Sequence, residues 1–328
     1  MALMIEHESF QPGIGVGTWA WGNRFLWNYN SLSDDKTLHT TFNTAISLGL
    51  NFFDTADSYG TGNLNGRSES LLGQFVSQLS QEQVQKLTLA TKLAPFPWRF
   101  KYGYRKAFYS SQSRLQGHLD RVQLHWSTAR YASYQEGFLI DALAQLIHDK
   151  HVNSLGISNV GPKGLRKIYR RLAMKGVRLA SIQLQFSLLT YNQVLQREMI
   201  LVSRALGVEV LAYSPLALGI LSLSSPSQVI LPVGPRKLLY RHILPEIGGL
   251  LCALNEIAKS RQVRTAQVAL NWCRAHGAMP IPGLRNPEQA IVAAGALHWN
   301  LDSGELAELD RISQSLKVNM PENPFQSS

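Results

Sequence analysis

The chain has 328 residues, of which 45% are hydrophobic and 16% are charged, a composition typical of a water-soluble globular protein. Two cysteines, Cys252 and Cys273, are too few for a disulfide framework or a cysteine-rich metal cluster, and no apolar run is long enough to span a membrane. The net charge of +10 is compatible with an anionic partner, but the basic residues are scattered, so nucleic-acid binding is not favoured.

Residues 1–10 lack the basic and apolar segments of a signal peptide, so we expect a cytoplasmic protein. Beyond them, apolar runs alternate with helical patterns. The runs cover residues 13–21, 51–57, 87–93, 122–126, 154–158, 181–187, 208–214 and 278–283. They are continuous rather than alternating, as in parallel strands covered on both faces. Helical patterns fill the intervals, for instance 136–150, 164–176 and 192–207. This order predicts an α/β fold, a single (β/α)₈ TIM barrel forming one domain over residues 1–328.

A doubly wound sheet is the structural alternative to a barrel. The glycines at 13, 15 and 17 look like part of a dinucleotide fingerprint, but their spacing is not G-x-G-x-x-G. No capped helix follows them at once, because the first candidate caps are Asp34 and Asp35. We therefore expect these glycines to bend the chain around the first strand.

The interval before the last predicted strand, residues 215–277, is longer than the others. It contains a Pro/Gly-rich segment, 224–237, and a helical pattern near 248–260. Long loops in compact domains are usually functional, so we expect a long loop after strand 7 that acts as a lid.

Polar side chains stand at the C-terminal ends of three neighbouring predicted strands. Asp54, Lys92 and His125 end the second, third and fourth strands, and Tyr59 follows in the loop after Asp54. The active sites of such barrels are built at these strand ends. Alone, each residue has a structural interpretation, such as a helix cap, a loop aromatic, an interior ion pair or a core histidine. Together they form a set suited to proton transfer.

Nine short motifs along nearly the whole chain resemble those of the aldo-keto reductase superfamily. They are GTW (17–19), NFFDTADSYG (51–60), G-x-SE (66–69), ATK (90–92), LHW (124–126), GISN (156–159), QLQFS (183–187), AYSPL (212–216) and IPGLRNPEQ (281–289). One such motif is weak evidence, whereas nine in the right order are strong evidence. The C-terminal motifs look most like those of bacterial and plant-type members that include pyridoxal reductases.

The resemblance implies an NADPH-dependent oxidoreductase that reduces aldehydes and ketones to alcohols, with Tyr59 as the general acid. Lys92 would lower the pKa of Tyr59 by stabilising the phenolate, and Asp54 would hold Lys92 in place. His125 would orient the carbonyl oxygen. The expected substrates are aromatic aldehydes and dicarbonyls such as methylglyoxal, with pyridoxal as a further candidate.

The resemblance also implies a nicotinamide site, with Ser158, Asn159 and Gln185 around the carboxamide and Tyr213 stacked on the ring. The segment 214–219 would run along the pyrophosphate through its backbone N–H groups. The complete predicted cofactor set is Gly17, Thr18, Trp19, Asp54, Ser158, Asn159, Gln185, Tyr213, Ser214, Pro215, Leu216, Gly219, Arg236, Gly283, Arg285 and Gln289.

At the adenosine end, Arg285 lies beside the start of a predicted helix, where it could pair with the 2′-phosphate of NADPH. Arg236 is a candidate second clamp, and a plain surface arginine is the alternative. Some members of the superfamily have a basic residue where this chain has Ala293, and this difference weakens the assignment of a 2′-phosphate site by resemblance.

The predicted substrate residues are aromatic: Trp21, Trp27, Trp98 and Trp126. They suit an apolar or aromatic aldehyde, although well-packed lids would have the same composition. Ser127 follows Trp126 where many members have proline, so substrate fit is in doubt there.

Two other classes of function stay open. The first is a nucleotide-binding redox sensor of the same fold with slow turnover, and the second is a Schiff-base aldolase that uses Lys92. For every class we expect a monomer with a small-molecule partner and no metal, nucleic acid or membrane.

Overall fold

The computed structural model describes residues 12–99, 101–224, 231–324 and 326–327. Within them, eight parallel strands pair in chain order. The strands are β1 Val16–Gly17, β2 Phe52–Asp54, β3 Thr88–Leu93, β4 Arg121–Leu124, β5 Ser154–Ser158, β6 Leu179–Gln185, β7 Glu209–Tyr213 and β8 Ala278–Ile281. Residues 1–10, which bear on the signal peptide, and 225–230 of the Pro/Gly-rich segment lie outside the described residues.

The two edges of this sheet pair with each other. Gly17 bridges Gly283 in the parallel sense, and the amides of Gly15 and Gly17 donate to the carbonyls of Pro280 and Pro282, both at 2.9 Å. Because β1 thereby joins the end of β8, the sheet forms a barrel. The predicted TIM barrel is confirmed, and the doubly wound sheet is excluded.

Gly15 and Gly17 of the first run are needed for room rather than for bending. A Cβ added to Gly15 would lie 2.7 Å from Phe52 and 2.8 Å from Ile281, and one added to Gly17 would lie 2.9 Å from the Ile281 carbonyl oxygen. Neighbouring strands therefore approach β1 too closely for a side chain at either position. This corrects the expectation drawn from the sequence.

Helices cover the outside of the barrel. They are α1 Arg24–Trp27, α2 Ser31–Ser47, α3 Arg67–Val76, α4 Gln81–Gln85, α5 Lys101–Arg114, α6 Ser133–His148, α7 Pro162–Ala173, α8 Val194–Leu206, α9 Arg236–Ile243, α10 Gly248–Ser260, α11 Thr265–Ala275, α12 Pro287–Gly295 and α13 Ser303–Ser315. In the described part of the chain, no helix combines the length and apolar character that a membrane crossing requires.

Helix α2 begins earlier than the candidate caps Asp34 and Asp35 indicate. Its N-cap is Asn30, whose side chain accepts from the amide of Leu32 at 3.1 Å. Asp34 instead accepts from the backbone amide of Asn30 at 3.0 Å. Asp35 forms an ion pair with Arg67. Both aspartates thus stabilise the first turn or its docking and do not mark the start of the helix.

The long interval between β7 and β8 is mostly helical where it is described. A 3₁₀ segment, Ala217–Ser222, is followed by α9, α10 and α11. The predicted helix near 248–260 is present as α10, which buries Leu250, Leu251 and Leu254. The long segment expected after strand 7 is thus present, and most of its described residues are helical.

Candidate active site

A buried ion pair forms the floor of the site. The ammonium of Lys92 on β3 donates to the Asp54 carboxylate on β2, and both residues are at most 2% exposed. The other oxygen of Asp54 accepts from the side-chain amides of Gln123 at 2.9 Å and Gln183 at 2.8 Å. The carboxylate is thus fixed from three strands, which compensates the cost of burying two charges.

Tyr59 and His125 stand above this pair. The Lys92 Nζ atom lies 4.9 Å from the centre of the Tyr59 ring. The rings of Tyr59 and His125 meet edge to face, with centroids 5.7 Å apart, and Ser58 Oγ lies 3.4 Å from Nδ1 of His125. The structure thus brings together the four residues predicted to be catalytic, from the ends of β2, β3 and β4.

The pKa of Tyr59 is shifted in the opposite direction to the one expected from the sequence. Burial raises it well above its ordinary value, and the carboxylates of Asp54 and Asp57 raise it further. The Lys92 ammonium is occupied by Asp54 and does not outweigh them. Tyr59 therefore keeps its proton at neutral pH, as a group that donates a proton must.

Burial also acts on the two neighbouring basic groups. It lowers the pKa of Lys92, against the opposing pull of the Asp54 charge. It lowers the pKa of His125 to well below its ordinary value, and the nearby charges of Lys92 and Arg99 add to this effect. His125 is therefore a neutral imidazole at neutral pH, with one N–H to donate.

A network of amides and hydroxyls lies beside the catalytic residues. Asn159, in the loop after β5, donates to Ser158 Oγ and to the backbone carbonyl of His125, both at 3.1 Å. Its side-chain oxygen accepts from the Tyr213 hydroxyl at 2.9 Å. Gln185 ends β6 and faces the same cavity. These four residues, predicted to surround a nicotinamide, do lie together.

One cavity of about 1020 Å³ joins these groups. Every predicted cofactor residue lines it, and so do Tyr59 and His125, while Lys92 lies beneath. Its wall near the 3₁₀ segment has left-handed backbone at Ser214, Ala217, Leu218 and Gly219. Gly219 has φ +103°, and a Cβ there would lie 2.8 Å from the Tyr240 hydroxyl, so glycine is required for α9 to dock.

Two arginines converge at the far end of the cavity. The guanidinium of Arg236 lies 4.0 Å from the ring centre of Trp27, and that of Arg285 lies 5.6 Å from it. Neither forms an ion pair with a carboxylate of the described residues. Burial lowers the pKa of Arg236, and the charge of Arg285 lowers it further. Two close cations without an acid partner form a site suited to an anionic group.

The model of the Aldo/keto reductase family matches residues 13–314, most of the chain. The chain belongs to the aldo/keto reductase family. The resemblance predicted from the nine motifs is confirmed, and as a member of this family the protein is an oxidoreductase.

Curated relatives agree with this membership, and a solved structure agrees with the fold. Pyridoxal reductase, chloroplastic, from Arabidopsis thaliana is 45% identical over 320 residues, which cover 96% of this chain and 86% of that protein. Methylglyoxal reductase YeaE from Escherichia coli is 27% identical, and the match covers 92% of this chain and 90% of that protein. An aldo-keto reductase from Klebsiella pneumoniae, solved in complex with NADPH, superposes with a TM-score of 0.70 at 23% identity, covering 97% of this chain and 95% of that one.

Two of the four tryptophans predicted to bind substrate do not reach the cavity of this aldo/keto reductase. Trp21 is fully buried in the core, where it packs on Phe75 and donates to the carbonyl of Leu284 at 2.8 Å. Trp98 is 72% exposed and stacks on the outer face of Phe96. Only the other two, Trp27 and Trp126, line the cavity, so the predicted aromatic wall is corrected to these.

A second buried ion pair holds the loop after β3. Arg99 binds the Asp57 carboxylate, which also accepts from the amide of Ala94 at 3.2 Å. Burial raises the pKa of Asp57 to about 6, although the Arg99 charge opposes this shift. Arg99 is therefore held by Asp57.

Ser127 stands where many members of the family have proline, and hydrogen bonds hold its side chain in place in this aldo/keto reductase. Its hydroxyl donates to Glu136 and accepts from the amide of Ala129 at 3.1 Å. Glu136 also accepts from the amide of Thr128 at 3.2 Å. A side chain on α6 therefore orders the loop after His125, as a proline ring would do by its own rigidity.

Several lining residues were missed by sequence reasoning. Gln183 and Ser58 stand one or two positions from predicted residues, and strand alternation could have identified Gln183, because it shares a face with Gln185. Residues 320–324 also line the cavity, but no motif marks them. Among the described residues, no group of three or more His, Cys, Asp and Glu side chains is arranged to hold a metal.

Proposed function

We propose that this protein uses NADPH to reduce aldehydes to alcohols, with Tyr59 as the general acid and pyridoxal as the leading substrate. The observation that carries the proposal is the convergence of Tyr59, Lys92, Asp54 and His125 in a cavity lined by every predicted cofactor residue. A cytoplasmic location and a monomeric state are the remaining parts of the proposal.

The cavity fits NADPH at both ends. The arginine pair at Trp27 supplies two unneutralised cations for the 2′-phosphate, next to the N-terminus of α12. At the other end, Ser158, Asn159 and Gln185 offer the donors and acceptors that a primary carboxamide needs. When bound, the nicotinamide supplies the hydride for the carbonyl carbon.

The residues of the chain supply the proton and orient the substrate. Tyr59 gives its phenolic proton to the carbonyl oxygen, which becomes the hydroxyl of the alcohol. Lys92, 4.9 Å from the ring centre, stabilises the phenolate that remains. The neutral imidazole of His125 donates to the same oxygen and sets its orientation. General acid assistance of this kind contributes about 10² to 10⁴-fold to a rate.

Pyridoxal is the favoured substrate for two reasons. The relative named pyridoxal reductase is 45% identical over 96% of this chain. In addition, Trp126 lines the cavity with its ring centroid 4.9 Å from that of His125, and it suits the flat face of an aromatic aldehyde. Methylglyoxal, which has no ring, would gain less from this wall.

The test compares NADPH oxidation by the purified protein with pyridoxal, 4-nitrobenzaldehyde and methylglyoxal. We expect turnover with pyridoxal at the highest kcat/KM, and a loss of about 10² to 10⁴-fold in Tyr59→Phe with the Kd for NADPH nearly unchanged. Tyr109→Phe, which removes the same hydroxyl from a tyrosine outside the cavity, is the matched control and should keep most of the activity.

Parallel loss of NADPH binding in Tyr59→Phe would contradict the role assigned to Tyr59. Tight NADPH binding with no turnover on any of the three aldehydes would instead favour the redox-sensing function.

A further inference from the structure

The C-terminal strap, defined as residues 318–324 with 326 and 327, is docked against the loop after β5. Val318 and Met320 are buried, and the amide of Met320 donates to the carbonyl of Leu189 at 2.9 Å. At the other end, the Ser327 amide donates to the carbonyl of Asn159 at 3.2 Å. The Ser327 hydroxyl accepts from the amide of Gly161 at 3.1 Å. The strap is thus fastened on both sides of its cavity-lining residues.

Between these anchors, Asn323 reaches into the polar network beside the catalytic residues. Its side-chain amide donates to the Tyr213 hydroxyl at 2.8 Å and to Asn159 Oδ1 at 3.1 Å. The Tyr213 hydroxyl donates to the same Asn159 oxygen at 2.9 Å. A carbonyl oxygen has two lone pairs, so these two donors use the whole accepting capacity of Asn159.

Asn323 carries the same functional group as the nicotinamide half of the cofactor, a primary carboxamide. If Asn159 accepts from the cofactor carboxamide, one of its present donors must leave. Tyr213 is held on β7 by the barrel, whereas Asn323 is half-buried on a segment outside the barrel. Asn323 is therefore the donor that can be exchanged.

Building on the proposed function, we propose that Asn323 is an internal competitor for the carboxamide subsite. In the free protein its amide occupies Asn159 and Tyr213. Cofactor binding displaces it and releases the middle of the strap, whose residues 320–324 line the same cavity.

Affinity measurements test the competition directly. The probes are NADPH and adenosine 2′,5′-bisphosphate, which carries the phosphate groups of the adenosine half but no nicotinamide. In Asn323→Leu, a near-isosteric change that cannot hydrogen-bond, the Kd for NADPH should fall by roughly two- to tenfold, the equivalent of one net hydrogen bond. The Kd for adenosine 2′,5′-bisphosphate should not change.

Glu322→Gln is the matched control, because Glu322 is exposed on the same strap and lines the same cavity. Its loss of charge should affect both probes alike, so the ratio of the two Kd values should stay as in the wild type. Equal NADPH affinity in wild-type and Asn323→Leu protein, or weaker binding in the variant, would overturn the competition alone. Failure of the wild type to bind either probe would overturn the cofactor assignment and the competition with it.

Hydrogen exchange gives a second measurement that does not depend on catalysis. NADPH should accelerate exchange of the Gln326 amide, since the bond that protects it, 3.0 Å to the carbonyl of Asn323, belongs to the displaced middle of the strap. Adenosine 2′,5′-bisphosphate should leave this amide as it is in the free protein. Slower exchange of the Gln326 amide with NADPH would mean that the cofactor tightens the strap, and would contradict its release.

Discussion

The ion pair between Lys92 and Asp54 determines both the charge and the stability of the catalytic floor. Asp54→Asn leaves a buried ammonium without its counter-charge, so we expect the free energy of unfolding to fall by about 3–5 kcal/mol. In Asp54→Asn/Lys92→Met no charge is left to pair, and much of that loss should be recovered. Urea unfolding of the two variants measures the difference.

Carbonyl reduction should be lost in both variants, because neither keeps the ammonium beside Tyr59 in its native place. A double variant that is less stable than Asp54→Asn alone would contradict this explanation.

Ionisation of the Asp57 carboxyl should make the protein less stable as the pH rises. Its pKa is raised from 3.8 to about 6, chiefly by burial, so the folded protein binds this proton more tightly than the unfolded chain. The stabilisation is present below the unfolded pKa and is lost as the pH rises through the folded one. Between pH 4 and 7, the unfolding free energy of the wild type should fall relative to that of Asp57→Asn by about 2 kcal/mol.

Asp141→Asn provides a control of opposite sign. The hydrogen bond from Arg171 lowers the pKa of Asp141, so its stabilisation is present at neutral pH and is lost only at more acidic pH. A wild-type stability curve that runs parallel to that of Asp57→Asn from pH 4 to 7 would refute the burial argument.

The catalytic residues were predictable from sequence because each is defined by its own strand end. Asp54, Lys92 and His125 need only their local motif to be placed at the C-terminal edge of the sheet. Trp21 and Asn323 could not be placed in this way. Their positions depend on Leu284 and Asn159, which are far away in the chain. The predicted direction of the pKa shift of Tyr59 was wrong for the same reason, since burial is a property of the folded chain.

At the scale of elements, α9 and the N-terminus of α12 together form the proposed phosphate site. We expect Arg285→Ala to raise the Kd for NADPH about tenfold or more and the Kd for NADH far less, since a charged hydrogen bond contributes about 1.5–3 kcal/mol. Arg236→Ala should behave in the same way. Titrations with both cofactors measure the preference.

Arg264→Ala is the control for this preference. Arg264 lines the same cavity but lies 3.8 Å from a carboxylate oxygen of Glu288, so its charge already has a partner. If Arg285→Ala weakens NADPH and NADH equally, Arg285 does not bind the 2′-phosphate.

The regular elements were predicted well where burial is continuous and poorly where capping or context decides. Each of the eight apolar runs overlaps a strand, because parallel strands are buried on both faces. The start of α2 was wrong because Asn30, not an aspartate, caps it.

At the scale of the whole molecule, the narrow contact between β1 and β8 holds the barrel closed. Gly17→Ala would place a methyl group 2.9 Å from the Ile281 carbonyl oxygen, which is backbone and cannot rotate away. We expect a loss of about 1–3 kcal/mol in unfolding free energy, as for other overpacked sites. Thermal or urea unfolding measures it.

Gly13→Ala is the control for this strand contact, since a Cβ at Gly13 would meet no atom within 4 Å. Its stability should equal that of the wild type or exceed it slightly. Equal losses in the two variants would show that the contact with β8 is not the cause.

The pairing of Gly17 with Gly283 also governs how the chain reaches its fold during synthesis. A ribosome adds about 5–20 residues per second, so roughly ten to fifty seconds separate the emergence of these two partners. Throughout that time β1 has one unpaired edge, as does the last strand made, and such edges can recruit other chains. The sheet is therefore open in every nascent molecule. Strands β2, β3 and β4, which carry the catalytic residues, are made before the strand that closes the barrel.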